Sequence, residues 1–245
     1  MPDFTVALPW YNFAQTRPLL DRVWERVVVE LRRVGVNSLP SALDHSTPHQ
    51  QLLRIPELSL SQCCGPDLFQ SPGLKVQPIA APVISAYEVA PGDYYSYIAA
   101  RDGADVQRPR VAVNSYTSYS GCIAIKQWLL DHGIGEYKLE ETGSHAQSVL
   151  ALQQGRADLA AIDALSWCFI DTWGLKVLDR SKPVLAPPFV VGATTRIAPE
   201  HLVPALDIAF AAVGKELGIV GALPVSRADY QHHATAVGVT PPSAR

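Results

Sequence analysis

Arg110-Val-Ala-Val-Asn-Ser-Tyr-Thr-Ser-Tyr-Ser-Gly121 is a short apolar strand running into a hydroxyl-rich turn, and Cys122 to His132 after it have the composition of a helix. The order then repeats. Tyr137 to Glu141 leads into Thr142-Gly-Ser-His145 and a helix over Ala146 to Gln154. Gly155-Arg-Ala-Asp158 ends that helix and feeds a third strand, Leu159-Ala-Ala-Ile162, with Asp163 at its carboxyl end. Strands alternating with helices predict parallel, doubly wound sheets. The first turn of a helix presents unpaired N–H groups at the positive end of its dipole, so a helix opened by Ser, Thr and Gly is ready to hold an anion.

The flanks read the same way. Phe4 to Leu8 is a predicted strand, and Pro9-Trp-Tyr-Asn12 is the loop beyond it. Thr16 is placed as N-cap and Pro18 in the first turn of a helix whose buried face is Leu20, Trp24, Val27, Leu31 and Val34, stopped by Gly35. A short helix follows Thr47-Pro48, and strands are expected at Leu58–Gln62, Val76–Ile79, Tyr95–Ala100, Leu175–Leu178 and Phe189–Ala193. A short helix through Trp173 and a last helix carrying Leu202, Leu206, Ala209, Phe210 and Val213 complete the pattern. The tail after Gly238 is read as frayed.

Breaks at Ala90-Pro91-Gly92 and Lys182 to Pro188 bracket a central block. The expectation is one discontinuous lobe, 1–96 plus 184–245, and a second, 97–183, with hinge strands near Tyr95–Ala100 and Lys182–Val190. Ligands in open α/β sheets gather beyond the carboxyl ends of strands, which is where these turns lie.

Composition excludes more than it names. At 245 residues with 48% hydrophobic and only 18% charged side chains, the chain can bury a sizeable core. A net charge of −3 and no basic run argue against a nucleic-acid partner. No stretch has the roughly 20 apolar residues of a membrane span, so membrane insertion is not expected. Met-Pro-Asp-Phe-Thr has no basic and apolar signal segment. That reading places the protein in the cytoplasm, or in the periplasm for a processed form. No P-loop, dinucleotide fingerprint or G-x-S-x-G elbow is present, and nothing calls for a cofactor. His45 and His49 have Pro48 between them, which argues against a zinc-binding helix face, and His232-His233 reads as a solvated helix end.

Four segments together carry a resemblance. Leu58-Ser-Leu-Ser-Gln-Cys-Cys-Gly65, the Ser118-Tyr-Ser-Gly121 turn, Gly143-Ser-His-Ala-Gln-Ser148 and Gly155 to Asp163 resemble the phosphate/phosphonate-binding family of ABC-transporter substrate-binding proteins, in order and spacing over nearly the whole chain. Tyr94-Tyr-Ser-Tyr-Ile98 is similar to the family's strand leading into the second lobe. The resemblance implies a type II periplasmic-binding-protein fold: α/β, with two doubly wound lobes, a two-stranded hinge and a ligand closed between the lobes. It assigns ligand contacts to Ser118, Tyr119, Ser120 and Gly121, to Ser144 and His145, and to Asp163. First-lobe contacts would be Tyr11, Cys63, Cys64 and Tyr95. The partner implied is a small anionic ligand, with an ABC-transporter permease only if the chain is exported. Cys63-Cys64 followed by Gly-Pro departs from the Thr-Cys-Gly-Tyr more usual in relatives, which leaves the ligand open.

Each feature also has a plainer reading. Ser118 and Ser120 also fit as caps, Asp163 as the cap of the next helix, His145 as a first-turn residue, and the Trp10-Tyr11 and Tyr94-Tyr95 pairs equally as core or as cover for a ligand. An enzyme on the same fold is the alternative function, with Cys63, Cys64, His145 and Asp163 as candidate acid, base or nucleophile. No activating pair is visible for those thiols, so a non-catalytic binding protein for a small oxyanion or phosphonate-like ligand is the leading expectation. The four cysteines form no spaced framework, and Cys122 and Cys168 are expected to be reduced and buried. Counting thiols in denatured, unreduced protein should therefore give four; a lower count contradicts this.

Overall fold

A computed structural model of the protein describes residues 5–70, 74–85 and 88–236. Phe4 of the expected first strand and the tail beyond Gly238 lie outside the described residues. In chain order the strands are β1 Thr5–Val6, β2 Leu58–Gln62, β3 Gln77–Ile84, β4 Asp93–Tyr94, β5 Ser96–Arg101, β6 Arg110–Val113, β7 Lys138–Glu141, β8 Leu159–Asp163, β9 Leu175–Arg180, β10 Val184–Leu185, β11 Phe189–Val191 and β12 Ile219–Pro224. The α-helices are α1 Arg17–Arg33, α2 His49–Leu52, α3 Asp67–Gln70, α4 Ala124–Asp131, α5 His145–Gln153, α6 Ala164–Trp167, α7 Pro199–Val213 and α8 Gln231–Ala236.

The chain divides into two compact units, Met1–Asp93 with Leu185–His232, and Tyr94–Val184 with His233–Arg245. It passes between them at Asp93–Tyr94, Val184–Leu185 and His232–His233, and β4 and β10 at the first two points pair as a two-stranded ladder. This ladder adjoins the first stretch read from the sequence as hinge, Tyr95–Ala100, and lies inside the second, Lys182–Val190; most of what remains of each stretch belongs to a sheet. β5 is a full member of the second unit's sheet, and β11 of the first unit's.

In the first unit the sheet order is β1-β2-β11-β3-β12. α1 buries Leu20, Val23, Trp24, Val27 and Leu31, one stripe at helical spacing, and packs against α7. Val34 leaves that stripe: it follows the last helical residue and is 55% exposed. Thr16 stands at the N-cap but makes no cap bond. Its hydroxyl donates to the carbonyls of Tyr11 and Phe13 and so ties down the loop beyond β1.

In the second unit the order is β7-β6-β8-β5-β9. Side chains alternate across this sheet with period two. Ile98, Ala100, Val111, Val113, Leu159 and Ala161 cluster with Ile125 and Leu129 of α4. The residues between them, Ala99, Ala112, Ala160 and Ile162, cluster with Val149 and Leu152 of α5. One helix therefore covers each face. The small alanines on the α5 side leave room for close approach.

The two α/β units are doubly wound as expected, but their sheets are mixed: the expected parallel direction does not hold at particular strands. β6 runs parallel to β7 and β8, but β5 is antiparallel to β8 and β9. β11 is likewise antiparallel to β2 and β3, and β12 to β3. The first two cases have one cause. β5 and β11 are the first long strands after each crossing, and each starts beside the carboxyl end of a neighbour: Ser96 opposite Asp163, Phe189 opposite Gln62. A strand entering at the carboxyl end of its neighbours must run against them.

Where β6 meets α4, the first turn is of π type, Tyr119–Ile123. Gly121 is obligatory there because a Cβ would lie 1.8 Å from Asn114 Oδ1. Gly121→Ala should cost about 1–3 kcal/mol, or roughly 2–12 °C in melting temperature for a chain of this size. Asn114 Oδ1 is buried without a hydrogen bond, so Asn114→Ala removes the obstacle cheaply. The double variant should recover most of the loss in a melting experiment; an unchanged single variant would show that the approach is not tight.

Candidate functional site

The second unit gathers most of the residues singled out from the sequence. Ser118 caps the π turn: its Oγ accepts from Gly121 N–H at 3.1 Å. That Oγ lies 3.4 Å from Ser120 Oγ, which in turn is 2.9 Å from His145 Nε2. The Ser120 N–H takes no acceptor among the described residues. Ser118 and Ser120 are buried. A π-type opening widens the first turn, a distortion that recurs at functional sites. Ser144 caps α5, accepting from Gln147 N–H at 3.2 Å, and so fixes the helix that presents His145. Ser118, Ser120, Gly121 and His145 thus form one connected constellation.

His145 is neutral at physiological pH. Burial pulls its pKa down to about 4, opposed in part by the Ala161 main chain. Its Nδ1 is buried and makes no well-formed hydrogen bond, and among the described residues no carboxylate is hydrogen-bonded to it. A Ser–His contact with so weak a base and no orienting acid is poorly suited to nucleophilic catalysis. It is better suited to passing a hydrogen bond.

Asp163 ends β8 and is 4% exposed. Its Oδ1 accepts from Ser166 N–H at 2.8 Å, the capping role for α6. Tyr95 belongs to this unit, not the first. It is 5% exposed, with its hydroxyl 3.3 Å from that of Tyr97. Its pKa is pushed up to about 12, by burial first and then by the Tyr97 hydroxyl. Arg180 was not foreseen: its guanidinium lies 5.1 Å above the Tyr95 ring. A pocket of about 480 Å³ in this unit has Tyr119, Trp128 and Arg180 in its wall.

The first unit holds Tyr11, Cys63 and Cys64, each just past a strand's carboxyl end. Tyr11 is buried with φ 63°, a left-handed conformation uncommon outside glycine. Cys63 is buried, and that burial, followed by the charge of Asp67, pushes its thiol up, away from a reactive thiolate. Cys64 N–H donates to Asp67 Oδ2 at 3.0 Å. Asp67 is itself pushed up to about 6 by burial. Beside them stand Trp10, which the sequence offers as core or as cover for a ligand, and His49, which it offers only as an improbable metal ligand; their pairing was not foreseen. Their rings are 4.5 Å apart; Trp10 N–H donates to Gln62 Oε1 at 3.2 Å, and His49 Nε2 meets the Gln62 carbonyl at 3.1 Å. A carbonyl only accepts, so His49 carries its proton on Nε2. Burial lowers its pKa to about 4.

Two expectations are corrected. Cys168 is exposed rather than buried, because the chain emerges after the buried first residues of the single turn α6; all four cysteines are free. His233 is 1% exposed, so of the His232-His233 pair only His232 is solvated. Among the described residues no cluster of three or more His, Cys, Asp or Glu could hold a metal. No helix there is long and apolar enough to cross a membrane.

Comparison with known proteins agrees with this geometry. A family described as ABC transporter, phosphonate, periplasmic substrate-binding protein matches residues 70–233, about two-thirds of the chain. No curated protein sequence matches. Among solved structures, PhnD1 from Prochlorococcus marinus in complex with methylphosphonate superposes with a TM-score of 0.69 at 14% identity, over 96% of this chain and 97% of that one. A binding protein component of an ABC phosphonate transporter from Pseudomonas aeruginosa gives 0.62 at 11% identity, over 98% and 90%. A Xanthomonas citri protein bound to ATP gives 0.59 at 15% identity, over 96% and 97%. These likenesses establish the type II periplasmic-binding-protein fold. The matched family model goes further: the chain belongs to the periplasmic substrate-binding family of phosphonate ABC transporters.

Proposed function

We propose that the protein binds a small oxyanion of the phosphonate or phosphate class at the Ser118–Gly121 turn, without catalysis, and delivers it to an ABC-transporter permease. The observation that carries this reading is the Ser118–Ser120–His145 chain around an unpaired Ser120 N–H. The direction of the Ser120–His145 bond follows the ring tautomer: with the proton on Nε2, His145 donates and the Ser120 hydroxyl is left to donate outward, whereas with the proton on Nδ1, toward the Ala161 main chain, Nε2 accepts from that hydroxyl and the Ser120 N–H remains as the outward donor. The ligand then meets N–H and O–H donors at the positive end of a helix. Tyr119, Gly121, Ser144, Asp163 and Tyr95 are the second unit's further candidates, and Tyr11, Cys63 and Cys64 the first unit's. The methylphosphonate held by the Prochlorococcus relative supports the ligand class. The family is described as periplasmic, and we carry that location to this chain in place of the cytoplasmic expectation.

Ligand binding to the folded state alone adds about 2.7 kcal/mol at a hundredfold excess over Kd, or roughly 5–10 °C in melting temperature. Such a shift is expected with at least one of inorganic phosphate, methylphosphonate, methanesulfonate and acetate. Ser118→Ala with Ser120→Ala should abolish it, since hydrogen bonds to a charged oxygen contribute roughly 1.5–3 kcal/mol each. A full shift in the double variant would move the site elsewhere, and no shift with any anion in the wild type would overturn the reading.

The neutral imidazoles give an independent check. For His49 and His145 the folded pKa, about 4, lies below the ordinary value of 6.5. Their neutral forms therefore favour the fold fully above pH ~6.5, and that contribution is lost as the pH falls toward ~4. Histidine NMR titration of the native protein should show two rings still neutral at pH ~5.5. Ordinary titration of every ring near 6.5 would contradict the buried, neutral assignment.

A further inference from the structure

We propose that Arg180 is the specificity-determining cation of this site, the residue that makes the protein prefer a doubly charged oxyanion to a singly charged one. The proposal rests on the reading of the Ser118–Gly121 turn as the anion site. Tyr119, from that turn, and Arg180 stand in the wall of the same pocket of about 480 Å³.

Three basic side chains line that pocket, and their surroundings differ. Lys182 Nζ sits 2.8 Å from Asp131 Oδ2 and is neutralised there. His132 stacks on Trp128 and faces Asp179 at 3.8 Å. Arg180 has no carboxylate within ion-pair distance among the described residues. The neighbouring Asp179 accepts instead from the Trp128 indole N–H and the Arg180 main-chain N–H, each at 2.8 Å. What holds the guanidinium is the ring of Tyr95, itself 5% exposed.

A cation seated on a buried ring keeps its full charge, and its donors stay available. A planar guanidinium can meet two oxygens of a phosphonate at once. Hydroxyl and amide donors set geometry but read charge poorly, because a sulfonate offers the same three oxygens. Arg180 supplies the charge that the turn lacks, since no Lys or Arg lies between Asn114 and Gly121.

The test is calorimetric titration of the full chain with methylphosphonate and methanesulfonate, above the second ionisation of methylphosphonate. Arg180→Gln should weaken methylphosphonate binding about 10- to 100-fold and methanesulfonate binding distinctly less, and Arg180→Lys should restore part of the difference. Arg180 is exposed, so loss of its contact with the Tyr95 ring should lower the ligand-free melting temperature by no more than about 1–4 °C. Wild-type affinities in Arg180→Gln, or equal losses for both anions, would overturn the proposal. If the Ser118/Ser120 double variant loses binding while Arg180→Gln keeps it, Arg180 falls and the turn stands. Failure of the wild type to bind any of the four anions overturns both.

Discussion

The second unit is organised by one carboxylate. Asp158, 2% exposed, accepts from the Arg101 guanidinium at 2.5 and 3.0 Å, from the Arg110 guanidinium at 2.9 and 3.1 Å, and from Arg110 N–H at 3.0 Å. Hydrogen bonding from Arg110, and then from Arg101, holds its carboxyl well below the usual range. This single residue joins the start of β6, the end of β5 and the entry to β8. The register follows: Val111 lies opposite Leu159, and Ala100 opposite Leu159 on the other side. Removing Asp158 would take away the one acceptor that both guanidiniums share at this end of the sheet.

From that fixed end the functional end is set by counting. β6 runs four residues to Val113 and releases Asn114 into the hydroxyl-rich turn; β8 runs five to Asp163. Because β5 begins opposite Asp163, the crossing from the first unit also enters at this end. The first unit repeats the arrangement, with β11 entering opposite Gln62 beside Cys63. In each unit the carboxyl ends of the parallel strands thus lie where the chain crosses. A salt clamp at one end of a sheet and neutral donors at the other is a division of labour between stability and binding.

Much of this was legible because local signals agreed with tertiary structure. Arg110–Val113 and Leu58–Gln62 are strands at the positions read from the sequence, as alternation and flanking turns demand. The Ser118 and Asp163 caps were readable because a capping oxygen acts within three residues. Strand direction was not: β5 and β11 are antiparallel because of where the chain crosses, a long-range fact absent from any window. β12 was missed because Gly221 interrupts its apolar run; that glycine is required where a Cβ would sit 2.7 Å from Asp207 Oδ1. Arg180 and the Trp10–His49 pair were missed for a third reason. Their neighbours, Tyr95 and Gln62, lie 85 and 13 residues or more away along the chain, and only folding brings them together.

An experimental structure of the protein with methylphosphonate bound tests the central claim most directly. The account expects phosphonate oxygens about 2.7–3.2 Å from the Ser118 and Ser120 hydroxyls and from Ser120 N–H, with His145 still 2.9 Å from Ser120 Oγ. A bound methylphosphonate seated away from the Ser118–Gly121 turn would contradict it.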